Sequence, residues 1–337
     1  MNKPDRILLA HGGGGGLTRQ LVEQVIAPAF DNEALRPLDD GAVLTLGSER
    51  LVFTTDSYVV KPSFFPGGDI GKLAVCGTVN DLAMLGAQPL WLSAGFILEE
   101  GLLLVELRKI VDSMRTAAAS VGAIIVTGDT KVVERGKCDQ LFINTAGIGL
   151  CRTNQKLGAA HARPGDAVIL SGFIGEHGVA VMSRREGISF STSVVSDCAP
   201  LWPLVAAMLA TGVELHTLRD PTRGGVAAAV CEIAHAAGVG IRLREDTLPI
   251  SREVQGACDL LGLEPLTIAN EGKLLAFCPA AQADRLVTAM RAQPLGQNAR
   301  VIGEVVAQPA GMALLRTTIG GERIIDMPTG EDLPRIC

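Results

Sequence analysis

The chain has 337 residues, 47% of them hydrophobic and 20% charged, and a formal net charge of −6. That length favours two domains over one, and that composition can bury a sizeable core and excludes global disorder. The acidic balance argues against a broad nucleic-acid surface and against an anionic membrane, but leaves room for a local site that takes an anionic nucleotide.

The N-terminus opens MNKPDRILLAHGGGGG, whose apolar stretch is too short for a signal peptide. No run approaches the roughly 20 apolar residues that a membrane span needs, so a soluble, cytoplasmic protein is expected. The five glycines at 12–16 read either as a flexible leader or as a loop that orders over a phosphate-bearing ligand. They are not a dinucleotide fingerprint, because no strand–GxGxxG–helix pattern follows.

Residues 42–46 (AVLTL) and 51–55 (LVFTT) read as strands across a GSER turn. The spacing of Ile70, Leu73, Ala74, Leu82 and Leu85 predicts a helix over 69–86. A strand is predicted over 90–98, a helix over 102–121, and strands over 123–127 and 141–150. Residues 151–165 (CRTNQKLGAAHARPG) turn polar and mark a domain boundary. Beyond it come a strand (DAVILSG), helices over 176–186, 200–211 and 223–237, a strand over 273–278, a helix over 280–292 and a strand over 301–306. The class is α/β or α+β in two domains, without a convincing repeat, and periodicity leaves the strand order open.

Eight cysteines stand at 76, 138, 151, 198, 231, 258, 278 and 337, and none forms a CxxC pair. Most sit in apolar strings such as AAAVCEIA and read as small buried hydrophobes in a reducing compartment. Cys337 is different because it is the final residue, in the tail DMPTGEDLPRIC. Two prolines and a glycine make that tail extended, and from Gly330 it spans roughly 20 Å if stretched. The thiol reads either as chance or as a swinging carrier of a covalently bound group.

Acidic residues recur where strands or helices meet small residues: Asp39 and Asp40 in LDDGAV, Asp56 in FTTDSYVV, Asp81 in VNDLAMLG and Asp129 in VTGDTKVV. One strand-end aspartate is ordinarily a turn former. Several together suit Mg²⁺, which carboxylates share with water and substrate phosphates. There is no Walker A motif, since PGGDIGKL lacks its first glycine and its Ser/Thr. Glycines do precede helices at Gly67-Gly68 and at Gly224-Gly225, in DPTRGGV with Asp220 and Arg223. Each reads as an ordinary helix start or as an anion-holding turn. Lys131, two residues after Asp129, and Glu271, in IANEGKLL, read either as surface charges or as a phosphate contact and a proton acceptor.

The strings LDDGAV, FTTDSYVV, VNDLAMLGAQP, VTGDTKVV and RDPTRGGV resemble, in order and spacing and over nearly the whole chain, the PurM-like family. That family includes aminoimidazole ribonucleotide synthetase, selenophosphate synthetase and thiamine monophosphate kinase. Within it, the terminal PRIC, the NEG at 270–272 and the glycine-rich start are similar to the hydrogenase-maturation carbamoyl dehydratases. The resemblance implies a two-domain α/β (α+β) fold: an ATP-binding domain over 1–155 behind the glycine-rich leader, a C-terminal domain over 156–326, and a flexible tail over 327–337. It implies a homodimer whose N-terminal domains close a β-barrel. It implies ATP and Mg²⁺ held by Asp40, Asp56, Asp81 and Asp129, with Asp220 and the Arg223–Gly224–Gly225 turn beside them. It also implies partners: the carbamoyltransferase HypF, which loads Cys337, and the HypC–HypD iron scaffold, which receives a cyano group for the nickel–iron centre. Glu271 is the preferred base and Lys131 the preferred phosphate contact. The alternatives are another PurM-like ATP-dependent enzyme, or a non-catalytic ATP-binding scaffold that offers Cys337 to a metal. Selenophosphate synthesis is disfavoured because no thiol precedes Cys76.

Overall fold

The computed structural model describes residues 6–186, 194–328 and 335–337. The extended-tail expectation for 329–334 falls outside them.

The first half is a five-stranded sheet with helices on one face. β1 (Ala42–Leu46) and β2 (Glu49–Tyr58) form a hairpin, with Gly47 at φ 62° in the two-residue turn. α1 (Ile70–Met84) begins at Asp69, whose carboxylate accepts the backbone N–H of Gly71 at 2.8 Å and of Lys72 at 3.1 Å. Nearly every residue of α1 is buried, because it lies between this sheet, the helix α2 (Leu104–Ser120) and the second domain. β3 (Ala87–Glu99), β4 (Ile124–Val133) and β5 (Leu141–Cys151) complete the sheet in the order β1-β2-β5-β3-β4, antiparallel except for β3 with β4. The face away from the helices is open. Phe53, Ile148, Trp91 and Ile124 stand in register across four strands of that face.

The second half carries a seven-stranded sheet. It contains β6 (Asp166–Leu170), β7 (Thr217–Arg219), β8 (Gly240–Arg244), β9 (Leu275–Pro279), β10 (Arg300–Val306), β11 (Met312–Arg316) and β12 (Glu322–Ile325). The order is β12-β11-β8-β10-β6-β9-β7, with β8 and β11 parallel and the other pairs antiparallel. Both faces are covered. Val168, Leu170, Leu275 and Phe277 pack toward α5 (Gly225–Ala237). Ala167, Ile169, Ala276 and Cys278 pack toward α4 (Trp202–Ala210) and α7 (Ala283–Arg291). This is the alternation of a strand buried on both sides. α3 (Glu176–Arg185) and α6 (Arg252–Leu261) face the first domain, in a core that also holds Cys198, Ala269 and Ile336.

The pattern reading misses α6, β7, β8, β11, β12 and a short helix at Gly16–Leu21. β7 spans only Thr217–Arg219, and β8 (GIRLR) carries Arg242, whose guanidinium reaches Glu304 and Glu322, so neither shows an apolar run. No helix among the described residues is long and apolar enough to cross a membrane.

Candidate active site

Three carboxylates from three elements converge between the domains. Asp40 precedes β1, Asp81 lies on the inner face of α1, and Asp220 follows β7; one oxygen from each lies within 4.8 Å of the others. Thr54 of β2 puts its hydroxyl 2.8 Å from Asp81 Oδ2 and 2.9 Å from the Asp40 carbonyl. Arg219 is 2.8 Å from Asp40 and 2.7 Å from Glu232. Burial pushes the Asp40 carboxyl up to about 8 and that of Asp220 up to about 6, although the Arg219 charge draws both down. Burial, then the negative charge of Asp220 and Asp40, also holds Asp81 well above the carboxylate range. A hard divalent cation fits this set: all donors are oxygen, and a positive ion would compensate the buried charge that otherwise favours keeping protons on them.

A second wall is the NEG turn. Asn270 accepts the Gly175 N–H at 2.8 Å and donates to the Pro221 carbonyl at 2.8 Å, tying the turn to Asp220's loop. Asp197 accepts the N–H of Glu271 at 3.1 Å and of Gly272 at 3.2 Å, and Lys273 lies 3.2 Å from the same carboxylate. Asn80, beside Asp81 on α1, donates to the Glu271 carbonyl at 3.3 Å and accepts the Leu201 N–H at 2.7 Å. A Cβ on Gly272 would sit 1.9 Å from the Asp197 carbonyl, so only glycine fits. The Glu271 side chain is left in the interior, 3% exposed, and among the described residues its Oε1 has no hydrogen-bond partner. Burial first, then the charges of Asp220, Asp197 and Asp56, push its carboxyl well up.

The last residue of the chain meets this wall. The Cys337 thiol lies against the Glu271 carboxyl, and burial first pushes the thiol far above its ordinary range, with Arg223 drawing it down and the charges of Glu271 and Asp56 pushing it up. Arg223 sits close enough for the charge at Cys337 to be the largest influence on it, and it donates to the Gly12 carbonyl at 2.9 Å. Asp56, at the far part of β2, acts electrostatically on both Asp81 and Cys337. The glycine run lies against the Arg223 turn: a Cβ on Gly14 would fall 2.6 Å from Arg223 Cβ, and one on Gly15 would fall 2.0 Å from the Pro328 carbonyl. Gly224 and Gly225 both take left-handed φ, 75° and 62°, to turn the chain into α5.

Asp40, Asp81 and Asp220 thus form one cluster, and Asp56, Arg223, Glu271 and Cys337 lie within electrostatic reach of it or of one another. Asp129 and Lys131 stand apart on the edge strand β4, paired with each other at 2.7 Å and each 69% exposed. Asp129 is in register with Gly95 and Asn144, on the open face of the sheet. Pattern reading passes over Asn80, Asp197, Arg219 and Lys273. Only Asn80 and Arg219 carry a sequence signal, as neighbours of Asp81 and Asp220.

The chain matches two family descriptions in order: AIR synthase related protein, N-terminal domain, over residues 38–151, and its C-terminal domain over 163–314. A relative called carbamoyl dehydratase HypE, from Cupriavidus necator, is 52% identical over 99% of this chain and 96% of its own length. A HypE–HypF complex has a TM-score of 0.87 at 47% identity, covering 91% of this chain and 99% of the matched one. HypE in complex with ATP has a TM-score of 0.83 at 45% identity, covering 98% and 100%. Two ordered AIR-synthase domains and near-full-length identity of this size mean that the chain belongs to the carbamoyl dehydratase HypE family of PurM-like proteins.

Proposed function

We propose that this chain is an ATP-dependent carbamoyl dehydratase that works on a group carried by its own Cys337. It converts the S-carbamoyl group to a thiocyanate, whose cyano group serves the iron of a nickel–iron hydrogenase. One observation carries the reading: the terminal thiol lies against the buried carboxyl of Glu271, whose Oε1 has no partner among the described residues and which feels the charge of Asp220 in the carboxylate cluster. Solved relatives with ATP and with HypF support the nucleotide and the first partner. The HypC–HypD scaffold as acceptor follows from the same reading. So does a cytoplasmic setting, where a carrier thiol stays reduced.

The carbamoyl oxygen is a poor leaving group until it is phosphorylated. Its attack on the γ-phosphorus forms an O–P bond and releases ADP. Loss of one N–H proton gives the neutral imidate; loss of the second, with departure of phosphate, closes the C≡N bond on sulfur. Arg223 beside Cys337 is placed to balance charge developing on the transferred group. Glu271 is placed to take a proton from nitrogen. A base must be ionised, and burial first, then the negative charge of Asp220, Asp197 and Asp56, opposes this. Mg²⁺ held by Asp40, Asp81 and Asp220 would neutralise nucleotide phosphates and weaken that opposition. Asp56 completes this site. The domain division follows the same scheme: residues 1–155 bind nucleotide and pair, 156–326 supply Asp220 and Glu271, and 327–337 carry the thiol.

A homodimer belongs to the proposal. The open row of Phe53, Trp91 and Ile124 asks for cover, and Asp129 and Lys131 lie on the same face. A second copy there is what would bring Asp129 to metal and Lys131 to phosphate at a neighbouring cleft.

Intact-protein mass spectrometry tests the function. With HypF and carbamoyl phosphate the protein should gain one carbamoyl group, then lose one water only when ATP is added. Cys337→Ala should fold and bind ATP but acquire neither change. Glu271→Gln should load normally and dehydrate on the order of 100-fold more slowly or worse. Carbamoylation of the Cys337→Ala protein would overturn the carrier assignment; wild-type dehydration by Glu271→Gln would overturn the base.

A further inference from the structure

The docked end of the chain is gripped through its backbone. Val59 N–H donates to a main-chain carboxylate oxygen of Cys337 at 3.3 Å and Lys61 N–H to the Arg335 carbonyl at 3.2 Å, so the last residues run along the segment that follows β2. Arg335 adopts φ 54°, left-handed for a non-glycine residue. Its carbonyl also accepts from Arg185 at 2.8 Å, while its guanidinium meets the Val59 carbonyl and Asp139. Between them Ile336 is 2% exposed in the inter-domain core, and its carbonyl lies 2.9 Å from His177 Nε2.

His177 is itself completely buried on α3, with its ring edge-on to Phe65 at 5.3 Å between centroids. Its Nδ1 is 2.8 Å from Ser196 Oγ, and that hydroxyl accepts the Cys198 N–H at 3.1 Å. The polarity of this relay is decided by its ends. A carbonyl can only accept, so Nε2 carries the proton. In a neutral ring Nδ1 then accepts, and the Ser196 hydroxyl proton points to it. Burial drives the ring toward the neutral form.

We propose that His177, with its tautomer set by Ser196, is a positioning residue for the reaction: it holds the Ile336 carbonyl and thereby presents Cys337 to Glu271. This rests on the reading of Cys337 as the carrier. The imidazole touches no reacting atom, and it is remote in role from the carboxylate cluster. Its removal should therefore weaken docking of the tail while leaving ATP binding intact.

Two measurements on the full-length protein test it. The first is the rate of Cys337 alkylation by iodoacetamide, followed on the C-terminal peptide by mass spectrometry, which needs no activity. His177→Leu should speed alkylation about 10-fold or more. His177→Gln, whose amide can donate from near the Nε2 position, should stay close to the unsubstituted rate, and Ser196→Ala should fall between. The second is single-turnover dehydration of protein already carbamoylated on Cys337. The rate at saturating ATP should fall in the same order, with the ATP dependence unchanged. Should His177→Leu fail to fold, Ser196→Ala and His177→Gln still decide. Equal alkylation rates in all variants, or a His177→Gln protein as open as His177→Leu, would overturn the latch. Graded alkylation with ungraded dehydration would overturn its part in the reaction. Graded alkylation with no carbamoyl adduct on any variant would instead overturn the carrier reading.

Discussion

Asp40 and Asp220 carry a consequence for stability as well as for binding. Their carboxyls are raised from 3.8 to about 8 and about 6, with burial the first cause of each. Between those limits the folded chain keeps protons that the unfolded chain has released, so the contribution of these two groups to metal-free stability falls as pH rises from about 4 toward 8. Each ~1 kcal/mol lost lowers Tm by roughly 2–4 °C in a chain of several hundred residues. Scanning calorimetry should thus show a lower Tm near pH 8 than near pH 5. Mg²⁺ with ATP should recover more at the higher pH, and Asp40→Asn should flatten the slope. A metal-free Tm that climbs over this interval would mean that the three carboxylates do not share protons as their crowding requires.

Two glycines separate backbone necessity from composition among the elements. Gly225 starts α5 at φ 62°, and a Cβ there would lie 2.4 Å from the Leu266 carbonyl and 2.7 Å from that of Ile268. Both neighbours are backbone and cannot rotate away. Gly225→Ala should cost about 2 kcal/mol or more, from strain and from displacing the loop that leads to Glu271. Gly12 has nothing among the described residues within 4 Å of its would-be Cβ, so Gly12→Ala should change stability by about 0.5 kcal/mol or less. Urea unfolding of the two variants checks the contrast, and equal midpoints would contradict it.

At the scale of the molecule, the two sheets have different surroundings. The second is covered on both faces, whereas the first leaves Trp91 46% exposed, Phe53 43% and Ile124 57% in one cross-strand row. A row of that kind beside an unpaired edge strand is stable in solution when another surface covers it. Light scattering at about 10 μM should give twice the monomer mass, and Trp91→Asp should shift the protein toward monomer with little loss in the melting of its second domain. A monomeric unsubstituted protein would contradict the homodimer.

Much of this was written locally. The hairpin of β1 and β2, α1, the first part of the strand at 124–133 and the strand at 141–151 follow from period and turn residues, which act within a few residues, whereas Asp129 and Lys131 lie within that strand rather than beyond its end. The candidate carboxylates were visible as aspartates where strands or helices meet small residues, and Cys337 by its position alone. Partnership was not visible. Asp40, Asp81 and Asp220 meet only because a strand entry, a helix and a strand exit from different domains abut, while Asp129, with the same local look, lies on an open face beside Lys131. Periodicity also missed β7 and β8, whose strand state depends on neighbours that their own few residues do not encode. Sequence determined which groups are present and which short segments curl or extend, because those choices are governed by backbone sterics and local hydrogen bonds. Tertiary structure alone decided that Ser196, His177 and Ile336 form one relay, since His177 and Ile336, 159 residues apart, become neighbours only when two domains bury a common core.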